Sequence, residues 1–366
     1  MGKLDLWKFD WIFMFAALAI VAIGFPFLKS SASAADFNRQ LVWLAVAIFA
    51  MLFFIVVDFM IWIKYAYWIY SGSVFLLVAV LFLPAINNAR SFIRLGPVGM
   101  QPAELFKLAL IVALARHLGK RDNLHMLQGL IIPFVLTLAP LLLILRQPDL
   151  GTALTIPPIL LAMLWAGGAR FLHLASAILL GAASAWPLWH FGMRPYQKAR
   201  IFAFLNPENY ETAEAYQMLM SLTAIGSGGI MGQGLGNGVI TDLDLLPEKH
   251  NDFIFGVIAE EGGVAAAGSL ILLYLVLVLV GLHIAATAGS KFGRLTATGV
   301  AAIIGWQAIL NIFVVTGMFP TTGVTLPLVS YGGSSLVVTF SMIGMALNVS
   351  QSGTQTTFGE GASLRL

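Results

Sequence analysis

The side chains with the means to do chemistry fall in four short stretches of an otherwise apolar chain. In LPEKHNDFIFGVIAEEGG, residues 246–263, Asp252 stands where a polar segment gives way to a long apolar run, and Glu248, Lys249, His250 and Asn251 precede it. A carboxylate at such a junction either caps the helix that follows or serves as a general base at the edge of the apolar phase. His250 is a second base on the same segment. Glu260 lies eight residues beyond Asp252, about 12 Å along a helix. It is too far to share a reacting atom and is assigned to structure, with Gly262 and Gly263 allowing a bend.

In ARSFIRLGPVGMQPAELFK, residues 89–107, Glu104 and Lys107 are three apart, share a helix face and can pair. A charged pair within an apolar segment faces a cavity or a partner, because hydrocarbon would solvate it poorly. It is either a structural ion pair or the organiser of a polar cavity. In RQPDLGTAL, residues 146–154, Asp149 is placed to cap a helix, to meet Lys107 inside the bundle, or both. GSGGIMGQGLGNG, residues 226–238, invites comparison with a phosphate loop, but the Gly-Lys-Ser/Thr ending and the preceding strand are missing. The expectation is a folded turn that permits close backbone approach, with a lipid phosphate as a ligand its amides would suit.

These stretches need a scaffold, and composition says which. Of 366 residues, 59% are hydrophobic and 10% charged, where soluble domains carry about 25% charged residues. Several apolar runs reach the roughly 17–25 residues that a membrane-crossing helix needs, and the alternation of a membrane barrel is missing. The chain is expected to be an all-α polytopic membrane protein, a single integral membrane domain over 1–366. Ten spans are predicted, at 11–28, 41–63, 67–84, 103–118, 127–145, 150–166, 171–190, 253–285, 295–316 and 334–350. The first is read as retained, since Phe25-Pro26-Phe27-Leu28-Lys29 offers no small-residue cleavage site. Cysteine is absent, which excludes disulfides, thiolate metal sites and a cysteine nucleophile. A net charge of +3 gives no reason to expect nucleic acid as a partner.

The basic clusters nearest span ends, Arg116/Lys120/Arg121 and Lys291/Arg294, put the N-terminus inside. Residues 191–252 then form a large extracytoplasmic loop between spans seven and eight. Phe202, Phe204, Tyr210 and Tyr216 make it too apolar for disorder. Within it, Met218, Leu219, Leu222 and Ile225 recur at helical spacing, predicting a short helix at the membrane surface.

QPAELFK, QPDLGTAL, AIGSGGIMGQGLGNG, LPEKHNDFIFGVIAEEGG and GMFPTTGVTLPLVSYGGSSL resemble, in order and spacing, the motifs of the SEDS (shape, elongation, division, sporulation) family. These are the RodA/FtsW cell-wall polymerases, and the likeness covers essentially the whole chain. Short tails favour the RodA-like branch over FtsW. The resemblance implies ten transmembrane helices in the bacterial cytoplasmic (inner) membrane, with the catalytic loop on the extracytoplasmic face. It implies peptidoglycan glycosyltransferase activity on lipid II, for cell-wall elongation and rod shape. Asp252 falls on the family's essential aspartate, Glu104 and Lys107 on its acid and lysine, and Asp149 on the aspartate of the QPDLGTA motif. Arg39 corresponds to the basic residue between the first two helices, and Ser330 to the serine of SYGGSS. Met220, Gln233, Arg94 and Asn251 stand where the family commonly has glutamine, lysine, asparagine and threonine; none of these departures removes a carboxylate. The implied partner is a class B penicillin-binding protein, a transpeptidase, with the elongation machinery around it and membrane lipid.

In the implied reaction, the GlcNAc 4-hydroxyl of one lipid II attacks MurNAc C1 of another. Undecaprenyl pyrophosphate leaves, and an α-linkage becomes a β-linkage. Inversion suggests a single displacement, with one base and a stabilised leaving group. Asp252 is the expected base, worth about 10²- to 10⁴-fold. Arg39, Arg94 and Arg200 are the candidates to meet the pyrophosphate. A divalent cation, Mg or Mn, is a candidate to share that task, although no ligand cluster declares itself. A lipid II flippase would instead put its polar groups at the bilayer midplane, often with an internal repeat; no repeat is visible. A scaffold for a penicillin-binding protein would have no activity of its own.

Overall fold

The computed structural model describes residues 9–84, 91–95, 98–207 and 212–352. Among them run α1 (Trp11–Ser31), α2 (Ala34–Val56) and α3 (Phe59–Ala79), then a hairpin of β1 (Ile93–Leu95) and β2 (Val98–Met100). There follow α4 (Pro102–Gly119), α5 (Leu127–Arg146), α6 (Leu150–Gly167), α7 (Phe171–Pro187), α8 (Pro195–Leu205), α9 (Ala213–Gly228) and α10 (Val239–Asp242). The chain continues through α11 (Ile254–Thr287), α12 (Lys291–Val315) and α13 (Gly333–Ser352).

Nine of these helices, α1 to α3, α5 to α7 and α11 to α13, are long and apolar enough to cross a membrane among the described residues. The protein is all-α apart from the hairpin, and polytopic. Side chains fix several helix starts: Asp10 accepts from Phe13 N at 3.0 Å, Ser33 from Asp36 N at 3.1 Å and Asp58 from Met60 N at 2.9 Å. Pro157 and Pro158 lie inside α6, which stays helical through them.

The fourth predicted span, α4, is not among the nine. It contains Glu104, Lys107 and Arg116, and most of its residues are buried against α3, α6 and α12. Charges are tolerable there because protein surrounds them. α1 lies along α11 and α2 along α13, with little contact between α1 and α2 themselves.

Between α7 and α11 the chain forms short helices, including the one predicted from Met218, Leu219, Leu222 and Ile225. Its contact stripe is shifted, however. α9 buries Ala215, Met218, Ser221, Ala224 and Gly228 and packs along α11, while Leu222 stays exposed. Small side chains decide this, because a Cβ on Gly228 would fall 1.9 Å from the Ala259 carbonyl oxygen.

α11 is broken at Gly263, whose φ of 63° and ψ of −168° are not helical. An unbroken helix would pair Val264 N with Glu260 O and Ala265 N with Glu261 O. Here the glycine-rich turn supplies all four partners. Gln233 N and Gly234 N donate to Glu260 O (3.0 Å) and Glu261 O (2.9 Å), and Val264 N and Ala265 N donate to Gly229 O and Ile230 O, both at 3.0 Å. Of the amides in the glycine-rich turn, Gln233 N and Gly234 N are therefore committed to the kink rather than to a lipid phosphate. The Glu260 carboxylate accepts from Ile240 N (2.7 Å), Thr241 N (3.2 Å) and Thr241 Oγ1 (2.7 Å), which ties α10 to the same place.

Gly263→Ala is expected to be severe. Its Cβ would lie 2.3 Å from Gly232 N and 2.5 Å from Ile230 O, at a positive φ. A non-glycine residue in this backbone region costs about 1–3 kcal/mol on its own, so the melting midpoint in detergent should fall clearly. Gly226→Ala, in a helix with nothing within 4 Å of the added methyl, should leave it unchanged or raise it. An unaltered midpoint for Gly263→Ala would mean the kink is not constrained as described.

Candidate active site

Asp252 lies in the turn that precedes α11, and the segment joining α12 to α13 wraps around it. Three successive carbonyls are pinned. Tyr331 N donates to His250 O at 2.9 Å, Ser330 Oγ to Asn251 O at 2.6 Å and Asn311 Nδ2 to Asp252 O at 2.7 Å. Asn311 Nδ2 also donates to Val324 O at 2.7 Å, and Ser330 Oγ accepts from Leu326 N at 2.7 Å. The Asp252 carboxylate faces this segment, since a Cβ on Gly323 would be 3.5 Å from its Oδ2. Ser330 is thus a clamp on the backbone beside Asp252. Ser330→Ala should cost about 1–3 kcal/mol by orphaning Leu326 N and Asn251 O. It should lower kcat more than it raises KM, and a loss of melting temperature with kcat intact would speak against the clamp.

Burial raises the Asp252 pKa to about 7, Glu248 and Asp149 push it the same way, and Arg200 opposes them. A carboxylate so poised is part deprotonated near neutrality while basic enough to take a proton. Arg200, on α8, donates from Nη1 to Thr321 O at 3.4 Å and sets Nε 3.8 Å from Glu214 Oε1 on α9.

Asp149 caps α6: Oδ1 accepts from Thr152 N at 2.9 Å, and Oδ2 accepts from Thr152 Oγ1 at 2.9 Å and from Gln101 Nε2 at 2.6 Å. Burial raises its pKa against the hydrogen bonds from Thr152, with nearby Glu104 adding to the rise. The meeting of Asp149 with Lys107 expected from sequence does not form as an ion pair. Lys107 Nζ instead pairs with Glu104 Oε1 at 2.8 Å, one helical turn away on the same helix, and both are buried. Gln101, at the N-cap of α4, is what reaches Asp149. Asp252, Asp149 and Glu104 nevertheless form one connected set, each successive pair close enough to act on the other's charge.

Arg39 sits at the rim with its side chain 60% exposed, 3.5 Å from Asp36 Oδ1. The Tyr331 hydroxyl donates to the same oxygen at 3.5 Å, and the Tyr331 ring lies against that of His250, centroids 5.7 Å apart. The Arg94 backbone is opposite Gly99 in the hairpin; its side chain lies outside what is described. The hairpin is fastened to α13 by Ser334, which donates to Gly99 O at 3.0 Å and accepts from Gln101 N at 3.2 Å.

Sequence reasoning passed over Gln101, Thr321 and Thr322, although all three lie within the quoted motifs, and Asn311, which lies outside them on α12. Thr321 and Thr322 are buried, and their hydroxyls have no hydrogen-bond partner among the described residues. The α6 start presses on Thr322, because a Cβ on Gly151 would be 2.6 Å from Thr322 O. No three His, Asp or Glu side chains gather as a metal-ligand set among the described residues.

Residues 5–355 match the family model described as cell cycle protein, covering FtsW, RodA and SpoVE. The chain belongs to this family. Its relatives include a probable peptidoglycan glycosyltransferase FtsW of Geobacter sulfurreducens, 36% identical over 94% of this chain and 96% of that one. The peptidoglycan glycosyltransferase MrdB of Escherichia coli K12 is 38% identical over 78% of this chain and 77% of that one. Among solved structures, a chain from a peptidoglycan synthase complex that coordinates polymerization and crosslinking superposes with a TM-score of 0.83, at 32% identity over 95% of this chain and 99% of that one. The rod shape determining protein RodA of Thermus thermophilus gives 0.73, at 31% identity over 96% and 99%. The Asp252 cluster thus belongs to a chain with the SEDS fold.

Proposed function

We propose that this protein is a peptidoglycan glycosyltransferase that polymerises lipid II by a single inverting displacement. The observation that carries the proposal is Asp252, a carboxylate with a pKa of about 7 whose backbone is pinned on three successive carbonyls. The names of the FtsW and MrdB relatives support the same chemistry. Asp252 accepts the proton of the GlcNAc 4-hydroxyl as that oxygen bonds to MurNAc C1. The C1–phosphate oxygen bond breaks on the opposite face, and undecaprenyl pyrophosphate leaves with the electron pair. Arg200, beside Asp252, and Arg39, at the rim, supply positive charge to the leaving group. The Thr321 and Thr322 hydroxyls are donors for its oxygens or for the sugar. Glu104, Lys107 and Asp149 keep the floor of the site polar.

The Asp252 end of the bundle is taken as extracytoplasmic, where the sugars of lipid II lie, and α4 as a tenth span shielded from lipid within one membrane domain. The likeness to a chain from a synthase complex supports a transpeptidase partner of the class B penicillin-binding type. The test is incubation of the purified full chain with lipid II, with and without that partner. Glycan ladders on a gel are expected, and their absence in both conditions would overturn the proposal.

A further inference from the structure

We propose that Gln40 is a positioning residue for Asp252, acting through the segment that joins α12 to α13; this rests on the reaction proposed above. Gln40 is fully buried on α2, next in sequence to the exposed Arg39. Its amide spans the backbone on both sides of Tyr331: Nε2 donates to Ser330 O at 3.2 Å, and Oε1 accepts from Gly332 N at 3.2 Å. The peptide joining Ser330 to Tyr331 is planar, and its other edge is Tyr331 N, which donates to His250 O at 2.9 Å. Gln40 therefore sets the plane whose N–H holds the backbone two residues before Asp252. The hydroxyl of Ser330, at the other end of the same peptide, holds Asn251 O. Both grips on the turn before α11 thus come from residues whose shared peptide Gln40 orients.

The segment needs holding from outside. Leu328 has a φ of 70°, a strained conformation for a residue with a side chain, and such backbone persists only where its surroundings over-determine it. Tyr274 of α11 donates to Pro327 O, Asn311 of α12 donates to Val324 O at 2.7 Å, and Gln40 is the hold that α2 supplies. α2 meets the segment along one face, at positions four and three residues apart. Asp36 accepts from the Tyr331 hydroxyl at 3.5 Å, Gln40 grips the peptides on either side, and Trp43 lies against Gly333, where an added Cβ would be 2.3 Å from its ring. Of these three contacts, that of Gln40 is made to the peptide beside His250. Arg39 rides on the same turn of α2, so the amide keeps the rim cation and the base in one register.

The test is Gln40→Met in the full chain, which keeps the volume and removes both hydrogen bonds, followed by melting and by initial rates on lipid II across pH. kcat is expected to fall about ten- to hundredfold, as it does when a remote change displaces a reacting group. KM should stay nearly unchanged, because the buried amide offers nothing to the substrate. The midpoint of kcat/KM should move below the wild-type value of about 7, since burial is the main cause of that value and a loosened segment admits water. Glu248, Asp149 and Arg200, the charges that act on Asp252, are untouched. Trp43→Leu is the control for packing: it should melt lower, yet keep the wild-type kcat and midpoint. A folded Gln40→Met with wild-type kcat and midpoint, or an equal loss of kcat in Trp43→Leu at the same melting temperature, would overturn the assignment and leave polymerisation standing. Should Gln40→Met fail to fold, Gln40→Glu carries the test. Its protonated carboxyl has both the donor and the acceptor of the amide, and its ionised form has no donor for Ser330 O. Its rate relative to the wild type should therefore fall as pH rises, and a constant ratio would overturn the assignment. A wild type that makes no glycan overturns the proposed reaction instead; hydrogen exchange at the Tyr331 amide, faster in Gln40→Met than in the wild type, then still reads the hold on His250.

Discussion

Asp252→Asn is expected to lower lipid II polymerisation by about 10²- to 10⁴-fold, the usual contribution of a positioned base, while the protein remains folded. The pH dependence gives a second, independent handle. A base must be deprotonated, so kcat/KM should rise with pH and reach half its plateau near the Asp252 pKa of about 7. Arg200 holds that pKa down, so Arg200→Gln should move the midpoint to higher pH as well as slow the reaction. Stability runs the other way. The folded pKa is raised above the ordinary carboxylate value of 3.8, so the contribution of Asp252 to stability is full below that value and is lost as pH rises through about 7. Above pH 7 the asparagine variant should therefore melt no lower than the wild type. Undiminished polymer from Asp252→Asn would remove Asp252 from the role of base. A lower melting temperature above pH 7 would mean the charged form is favoured where burial should penalise it.

The membrane helices and the Glu104–Lys107 pairing could be read from the sequence for one physical reason: both are written locally. Hydrocarbon demands long apolar runs, so most spans declare themselves within their own residues. Glu104 and Lys107 are three apart on one helix, so their pairing follows from helical geometry alone. What could not be read depends on which helix lies beside which. Asp149 and Lys107 were free to pair in sequence, but the approach of α6 to α4 brings Gln101 to Asp149 and leaves Lys107 with Glu104. Glycines between 226 and 238 announce a turn, yet only the kink at Gly263 explains what its amides are for. The face of α9 went the same way. Apolar spacing favoured Leu219 and Leu222, whereas contact with α11 selects the side where Gly228 permits close approach. Ser330 was legible as a site residue by resemblance, but its use as a clamp on Asn251 required a loop from between α12 and α13 to fold back onto the start of α11.

The Glu104–Lys107 pair offers the second large effect. Lys107 is 1% exposed and its ammonium lies 2.8 Å from the Glu104 carboxylate. Lys107→Met would leave that carboxylate buried beside Asp149 with its cation gone. Breaking a buried pair in this way costs about 3–5 kcal/mol, so a sharp drop in melting midpoint and in polymerisation is expected together. Glu104→Gln combined with Lys107→Met removes both charges, and most of the lost stability should return. The double variant then separates two roles that the single one confounds. If it melts like the wild type and polymerises like it, the pair serves only to hold α4 in place. If it melts like the wild type but stays inactive, the charges themselves are needed at the floor of the site, because packing has been restored and the field around Asp149 and Asp252 has not. The second outcome is the expected one, since Glu104 acts on Asp149 and Asp149 on Asp252. A double variant no more stable than Lys107→Met would show that the two side chains are not coupled at all.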